Sequence, residues 1–321
     1  MDWKSYYEKE LHKAGTREKI VHWLRSADKM ALRSGAYDRR AVLSFPHTAV
    51  GYSGPLQARV ISWLYRLGFK RIIALGVMHG SSIPLFQVVA KPLALPKDRL
   101  DAFAQISGAF LPIADRLATP FGDLTVSTDV TVRPPEIRSD LANLLKSEFS
   151  LDTFHAMLRL AADVNDVEPL PVIPLYIGMT RNPVTGSFET ARTLARWLLD
   201  QWDDETAIVT TGDVVHYGTV YGSDVGDFTS KQLESQFLHR LETVLNTAFR
   251  DGQMEAAYQE TRRELKSDQR EILPLLIHLL REGAVTRIEA FTLSDYAPIL
   301  ETAPPCLVAS ALIAYKHVGA E

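Results

Sequence analysis

Three histidines carry the first chemical signal in this chain. His47 follows the apolar run 42–45 and Pro46, and His79 follows the apolar run 71–76. His216 lies in Gly212-Asp213-Val214-Val215-His216-Tyr217-Gly218, directly after the apolar run 207–211. An imidazole titrates near neutrality, so it serves either as a metal ligand or as a proton carrier. A single histidine after a strand is most often a surface or hydrogen-bonded residue. Three at the same end of three core strands point to a site. His47 and His79, delivered to one sheet edge, make the start of a metal centre.

The elements that must position them follow from periodicity. Residues 42–45 read as a strand and 71–76 as a second one. Between them Pro55 opens a helix, Leu56, Val60, Ile61 and Leu64 recur at helical spacing, and Gly68 closes it. A right-handed βαβ crossover sets the two strands parallel, so both histidines emerge at the carboxyl edge where ligands collect in open α/β sheets. Residues 2–36 read as two helices, the second introduced by Thr16, and form an N-terminal helical appendage (1–36) to a single domain over 37–321. The proline-punctuated segment 81–120, with a short helix near 98–103, reads as a lid or pocket wall, or equally as an ordinary packed subdomain. Strand-like alternation resumes at Phe121 through Leu124 and Val126. Helices over 136–146 and 151–162 follow, then a buried strand over 171–177 and a helix opened by Ser187. Beyond 207–211 come amphipathic helices over 229–246 and 269–281, and two strands, 287–293 and 307–317, at the far side of the sheet. The alternation of strand and helix indicates an α/β fold.

Composition narrows the function classes. The chain has 321 residues, 46% of them apolar, which is ample for a large core. A formal net charge of -4, with acids and bases interspersed, gives no electrostatic case for a nucleic-acid or anionic-membrane partner. The apolar runs fall short of the roughly 20 residues a spanning helix needs. The first residues are charged throughout and lack an apolar signal core, so a cytoplasmic protein is expected. Cys306 is the only cysteine, which leaves histidine and carboxylates as the credible metal ligands.

Five motifs, read in order, extend the pattern: Pro46-His47 with Gly51-Tyr52-Ser53-Gly54-Pro55, Leu75-Gly76-x-x-His79, Thr119-Pro120-x-Gly122, Ile173-Pro174-x-x-Ile177-Gly178, and Gly212-Asp213-x-x-His216-Tyr217-Gly218. Together they resemble the successive signatures of the Memo family, the AmmeMemoRadiSam system protein B-like proteins, which is similar in fold to the class III extradiol ring-cleaving dioxygenases. The resemblance implies a three-layer α/β sandwich around a mixed, mainly parallel central sheet. It also implies that His47 and His79 bind a metal and that a late loop before a helix supplies the third ligand, a cysteine in typical Memo proteins and a glutamate in the dioxygenases. Here that loop is Glu264-Leu265-Lys266-Ser267-Asp268-Gln269. It has no cysteine, and Asp268 is the nearest ligating group, with Glu264 and Ser267 in reserve. Asp268-x-x-Glu271 also reads as a capping box, which needs no metal.

By the same resemblance His216 is the acid/base, with Asp213 nearby to fix its tautomer or, alternatively, to cap the following turn. Tyr52 and Tyr217 flank the expected pocket and either orient a substrate or simply pack. Two positions depart from the family pattern: Gly80 replaces a second histidine, and Glu148-Phe149-Ser150-Leu151-Asp152 lacks the histidine of the corresponding stretch, which His155 can replace in space.

Two histidines and one carboxylate leave open positions on non-heme Fe(II). The expected function is therefore an Fe(II)-dependent dioxygenase-like oxidoreductase, with molecular oxygen as co-substrate and a small organic molecule, aromatic or a specialised metabolite, as substrate. A Zn(II) hydrolase with the same ligands is the alternative. So is a non-catalytic, metal-binding or interaction protein of the Memo kind, including a copper-binding one. A second copy of the chain is a candidate partner.

Overall fold

A computed structural model of the chain describes residues 2–31, 39–79, 101, 103–127, 133–139, 142–223, 225–226, 228–281 and 283–317. Gly80 and most of the lid or wall expected over 81–120, with the start of its short helix, lie outside these residues. The elements in chain order are α1 (Trp3–His12), α2 (Thr16–Ala31), β1 (Ala41–Phe45), α3 (Val50–Arg66), β2 (Arg71–Val77), β3 (Ala109–Phe110), β4 (Arg116–Thr119), β5 (Gly122–Thr125) and β6 (Ile137–Arg138). They continue with α4 (Asp152–Asn165), β7 (Val172–Ile177), α5 (Glu189–Gln201), β8 (Thr206–Thr211), β9 (Val215–Gly218), α6 (Ser230–Leu245), α7 (Met254–Arg263), α8 (Ile272–Leu280), β10 (Val285–Asp295), α9 (Ala297–Leu300) and β11 (Cys306–Lys316).

The central sheet has the order β10-β11-β1-β8-β2-β7-β3-β6, with β9 paired to β11. Its middle strands β1, β8, β2 and β7 run parallel, while β10, β11 and β3 join antiparallel. Side chains alternate across it, as strand geometry requires. On β2, Ile73, Leu75 and Val77 enter the layer under α5, α6 and α8, with Leu194, Leu198, Phe237 and Leu276. Ile72 and Ala74 enter the opposite layer under α2, α3 and α4, with Ile20, Leu24, Ile61 and Phe154. Helices thus cover both faces of a mixed sheet that is parallel at its centre. Each fully buried Ile, Leu or Phe in these layers contributes roughly 1.5–3 kcal/mol of transfer free energy.

Several boundaries differ from the sequence reading, each for a tertiary reason. β1 and β2 are parallel but not adjacent, because β8 lies between them and pairs with both. α3 begins at Val50, five residues before Pro55. Its first N–H groups are capped from another element, since the Glu10 carboxylate of α1 accepts from Val50 N at 2.7 Å and Gly51 N at 3.1 Å. The helix expected over 136–146 is instead the short strand β6 and a 3-10 turn, Ala142–Ser147. Pro134 opens a turn closed by Ile137 N donating to Pro134 O at 2.9 Å, and the carbonyls of Glu136 and Arg138 accept from Ala109 and Leu111. Leu124 belongs to a separate β4–β5 hairpin. β11 lies inside the sheet between β10 and β1, not at its far side.

Candidate metal centre

Insertion of β8 between β1 and β2 brings three loops to one place. β1 delivers His47 through Pro46, β2 delivers His79 through Met78, and β8 delivers Asp213 through Gly212. Gly212 has φ +150, and a Cβ there would meet Gln269 Cγ at 2.6 Å, so glycine is required by close approach. His216 sits on the short strand β9, opposite Val308, rather than in a loop. The Asp268–Glu271 3-10 turn is tied to the same edge: Asp268 N and Ser267 Oγ both donate to Asp213 O at 3.0 Å, and Gln269 Nε2 donates to Gly212 O and to Ser44 Oγ. The cap of that turn is Ser267, whose Oγ accepts from Gln269 N at 3.1 Å. Asp268 is therefore not spent as a cap, and its carboxylate faces the histidines.

His47 Nε2 lies 3.1 Å from His79 Nε2 and 3.3 Å from Asp268 Oδ2, and His79 Nε2 lies 3.9 Å from the same oxygen. Ligand–metal bonds of about 2.0–2.2 Å place neighbouring ligand atoms about 3–3.5 Å apart, so these atoms fit one ion with small adjustments. A second group, Asp213, His216 and Asp268, shares the aspartate. In each group the ligand atoms all lie within 4.8 Å of one another.

Hydrogen bonds on the far side of two rings set their tautomers. His79 Nδ1 contacts Glu148 Oε1 at 2.9 Å and His216 Nδ1 contacts Lys266 O at 2.8 Å. Both oxygens only accept, so Nδ1 carries the proton and each neutral ring turns a lone pair at Nε2 toward the cluster. This matches the outer partner that metal-ligating histidines require.

The electrostatics favour a cation at the centre. Burial lowers the affinity of the His79 ring for a proton, but Glu148 and Asp268 more than reverse it and lift the ring to about 10. Burial works against the Glu148 charge as well, yet His79 and backbone N–H donors hold that carboxyl at about 2. Asp268 is held well below the ordinary carboxylate range, against burial, by His216, His47 and His79. Burial pushes the Asp213 carboxyl up, against the pull of His47 and with a push from Asp268. Its Oδ1 is buried with no hydrogen-bond partner.

The cluster floors a cavity of about 450 Å³ whose walls include Trp3, Tyr7, Phe149, Tyr221, Tyr296 and Leu300. Phe149 stacks on His79 with ring centroids 4.2 Å apart. Of the residues singled out in the sequence, His47, His79, Asp213, His216 and Asp268 come together here. Tyr52 and Tyr217 do not line the cavity: Tyr52 is exposed and lies against Tyr296, and Tyr217 packs on Phe237. Glu264 pairs with Arg240 at the surface. His155 lies apart from the His/Asp cluster, lining a second cavity of about 580 Å³ with Lys4, Asp152 and Tyr176.

Glu148 and the α1 aromatics are the functional candidates that sequence reasoning left without roles. Glu148 accepts from His79 N, Phe149 N and Ser150 N in addition to the His79 ring. No periodicity marks such a residue. The only signal was its place at the head of the Glu148-Phe149-Ser150 stretch. Glu148→Gln is expected to weaken metal affinity by about 10–100-fold, the usual cost of losing an outer partner. Metal titration of purified protein checks it, and unchanged affinity would remove Glu148 from the site.

His155 yields a pH prediction. Burial, with Lys4 nearby, depresses its ring from 6.5 to about 3. The unfolded chain therefore takes up a proton below about 6.5 that the folded one refuses until about 3. Stability falls as pH drops through that window, by at most about 1.4 kcal/mol per pH unit from this residue. Melting temperatures of His155→Leu should fall less steeply than those of the parent between these pH values. An identical slope would mean that His155 does not contribute.

No family model matches this chain, and no curated protein matches it. The chemistry of the centre is therefore read from its own donors: two histidines and one aspartate converging under an aromatic cavity, with Asp213 and His216 at its side.

Proposed function

We propose that this chain is a non-heme Fe(II)-dependent oxygenase of the Memo and class III dioxygenase type, acting on a small organic substrate. The observation that carries this reading is the convergence of His47 Nε2, His79 Nε2 and Asp268 Oδ2 beneath an aromatic cavity. Fe(II) held by three such ligands supplies oxygen chemistry at the positions they leave open. Trp3, Tyr7, Phe149 and Leu300 shape the chamber and limit water. His216 Nε2 takes a proton from an acidic hydroxyl of the bound substrate and returns it to the product. Lys266 O fixes its tautomer.

Metal content of anaerobically purified protein, followed by oxygen-electrode assays on a panel of catechols and other phenols, tests the proposal. Near-stoichiometric iron with substrate-dependent oxygen uptake is expected. Stoichiometric zinc with ester or amide hydrolysis and no oxygen uptake would replace the oxygenase by a hydrolase, and absence of any bound metal would end both readings.

A further inference from the structure

Lys266 is placed where a spectator lysine has no reason to be. Its backbone adopts φ +50, a left-handed conformation that a glycine adopts freely and a lysine does not. That conformation delivers its carbonyl to His216 Nδ1, while the residue as a whole lines the cavity above the metal cluster. The ammonium is half-buried and donates to two neutral oxygens, Tyr221 O at 2.8 Å and Ser223 Oγ at 3.0 Å. A lysine has three N–H donors, and two of them are spent on described residues. The nearest acids in sequence are engaged elsewhere, Glu264 with Arg240 and Asp268 with the histidines. Among the described residues no carboxylate forms an ion pair with it.

A half-buried positive charge in a cavity-lining residue, with no counter-charge among the described residues, favours an anion from outside. The same cavity has a flat aromatic wall: Trp3 and Tyr7 stack with centroids 5.6 Å apart and an interplanar angle of 22°, and Tyr7 meets Phe149 at 5.3 Å. We propose that the cavity takes a flat organic anion, with Lys266 binding its carboxylate or phosphate group and the aromatic face of α1 covering its apolar body. The N-terminal helix is then a specificity element of the site. This rests on the cavity being the substrate site and not on which metal it holds.

Calorimetric titration of benzoate and benzamide into metal-loaded parent protein, Lys266→Met and Lys266→Arg separates the terms. The two probes share a flat ring and differ in charge. The parent is expected to bind benzoate at least tenfold more tightly than benzamide, Lys266→Arg to keep that preference, and Lys266→Met to lose it with metal content unchanged. If Lys266→Met keeps the preference, the carboxylate is held by the metal and the proposal fails. Equal binding of the two probes by the parent, or binding of neither, also overturns it. A Lys266-dependent preference in a protein that consumes no oxygen with any phenol would uphold this inference while sinking the oxygenase.

Discussion

Asp268→Ala is expected to strip the protein of stoichiometric metal while leaving it folded. Asp268 Oδ2 is the one atom shared by both ligand groups, 3.3 Å from His47 Nε2 and 3.7 Å from His216 Nε2. Losing a direct ligand should exceed the roughly 10–100-fold that loss of an outer partner costs. The fold should survive because Asp268 does not cap its turn. Ser267→Ala is the informative control, since it removes the cap at a cost of about 0.5–2 kcal/mol and should keep the metal. Glu264→Ala, on the surface with Arg240, should do neither. Metal analysis beside thermal melts reads all three variants. Full metal retention by Asp268→Ala would show that the ion is held by other groups and would take the iron reading with it.

His216→Gln is expected to lower turnover by roughly 10²–10⁴-fold, the usual worth of a positioned general base. Metal content should be unchanged, because His47, His79 and Asp268 suffice as a ligand set. Glutamine keeps a polar side chain of similar length but cannot take up a proton, so the variant tests proton transfer. The pH profile supplies the sharper readout: the acidic limb due to the imidazole should disappear. Loss of metal in His216→Gln would instead place His216 in the coordination sphere through the second group with Asp213, and its role as base would be withdrawn.

The parts of the site that were legible in the sequence are those carried by local pattern. The apolar strands before His47, His79 and Asp213 announce themselves by composition, and the parallel direction of β1 and β2 follows from crossover handedness. Asp268 was reached only by its place in a late loop, where the competing capping box could not be dismissed. The hydroxyl of Ser267, one residue earlier, resolves it by taking the cap. Tyr52 and Tyr217 illustrate the opposite case. Each is adjacent to motif residues, yet neither lines the cavity, because sequence adjacency does not fix the direction of a side chain on a helix or a strand.

By itself, the sequence determined the α/β class, the histidine-bearing strand ends and the absence of a thiolate ligand set. Those properties depend on hydrophobic period, strand-ending residues and composition, all local quantities. Only the tertiary structure decided that β8 separates β1 from β2, which is what brings Asp213 and His216 beside His47 and His79. The same long-range packing gave His79 its Glu148 partner 69 residues away, and brought Trp3 and Tyr7 of the N-terminal helix into the aromatic wall of the cavity over the His/Asp cluster. Contacts between residues so distant in the chain leave no periodic trace, because they are selected by the packing of whole layers.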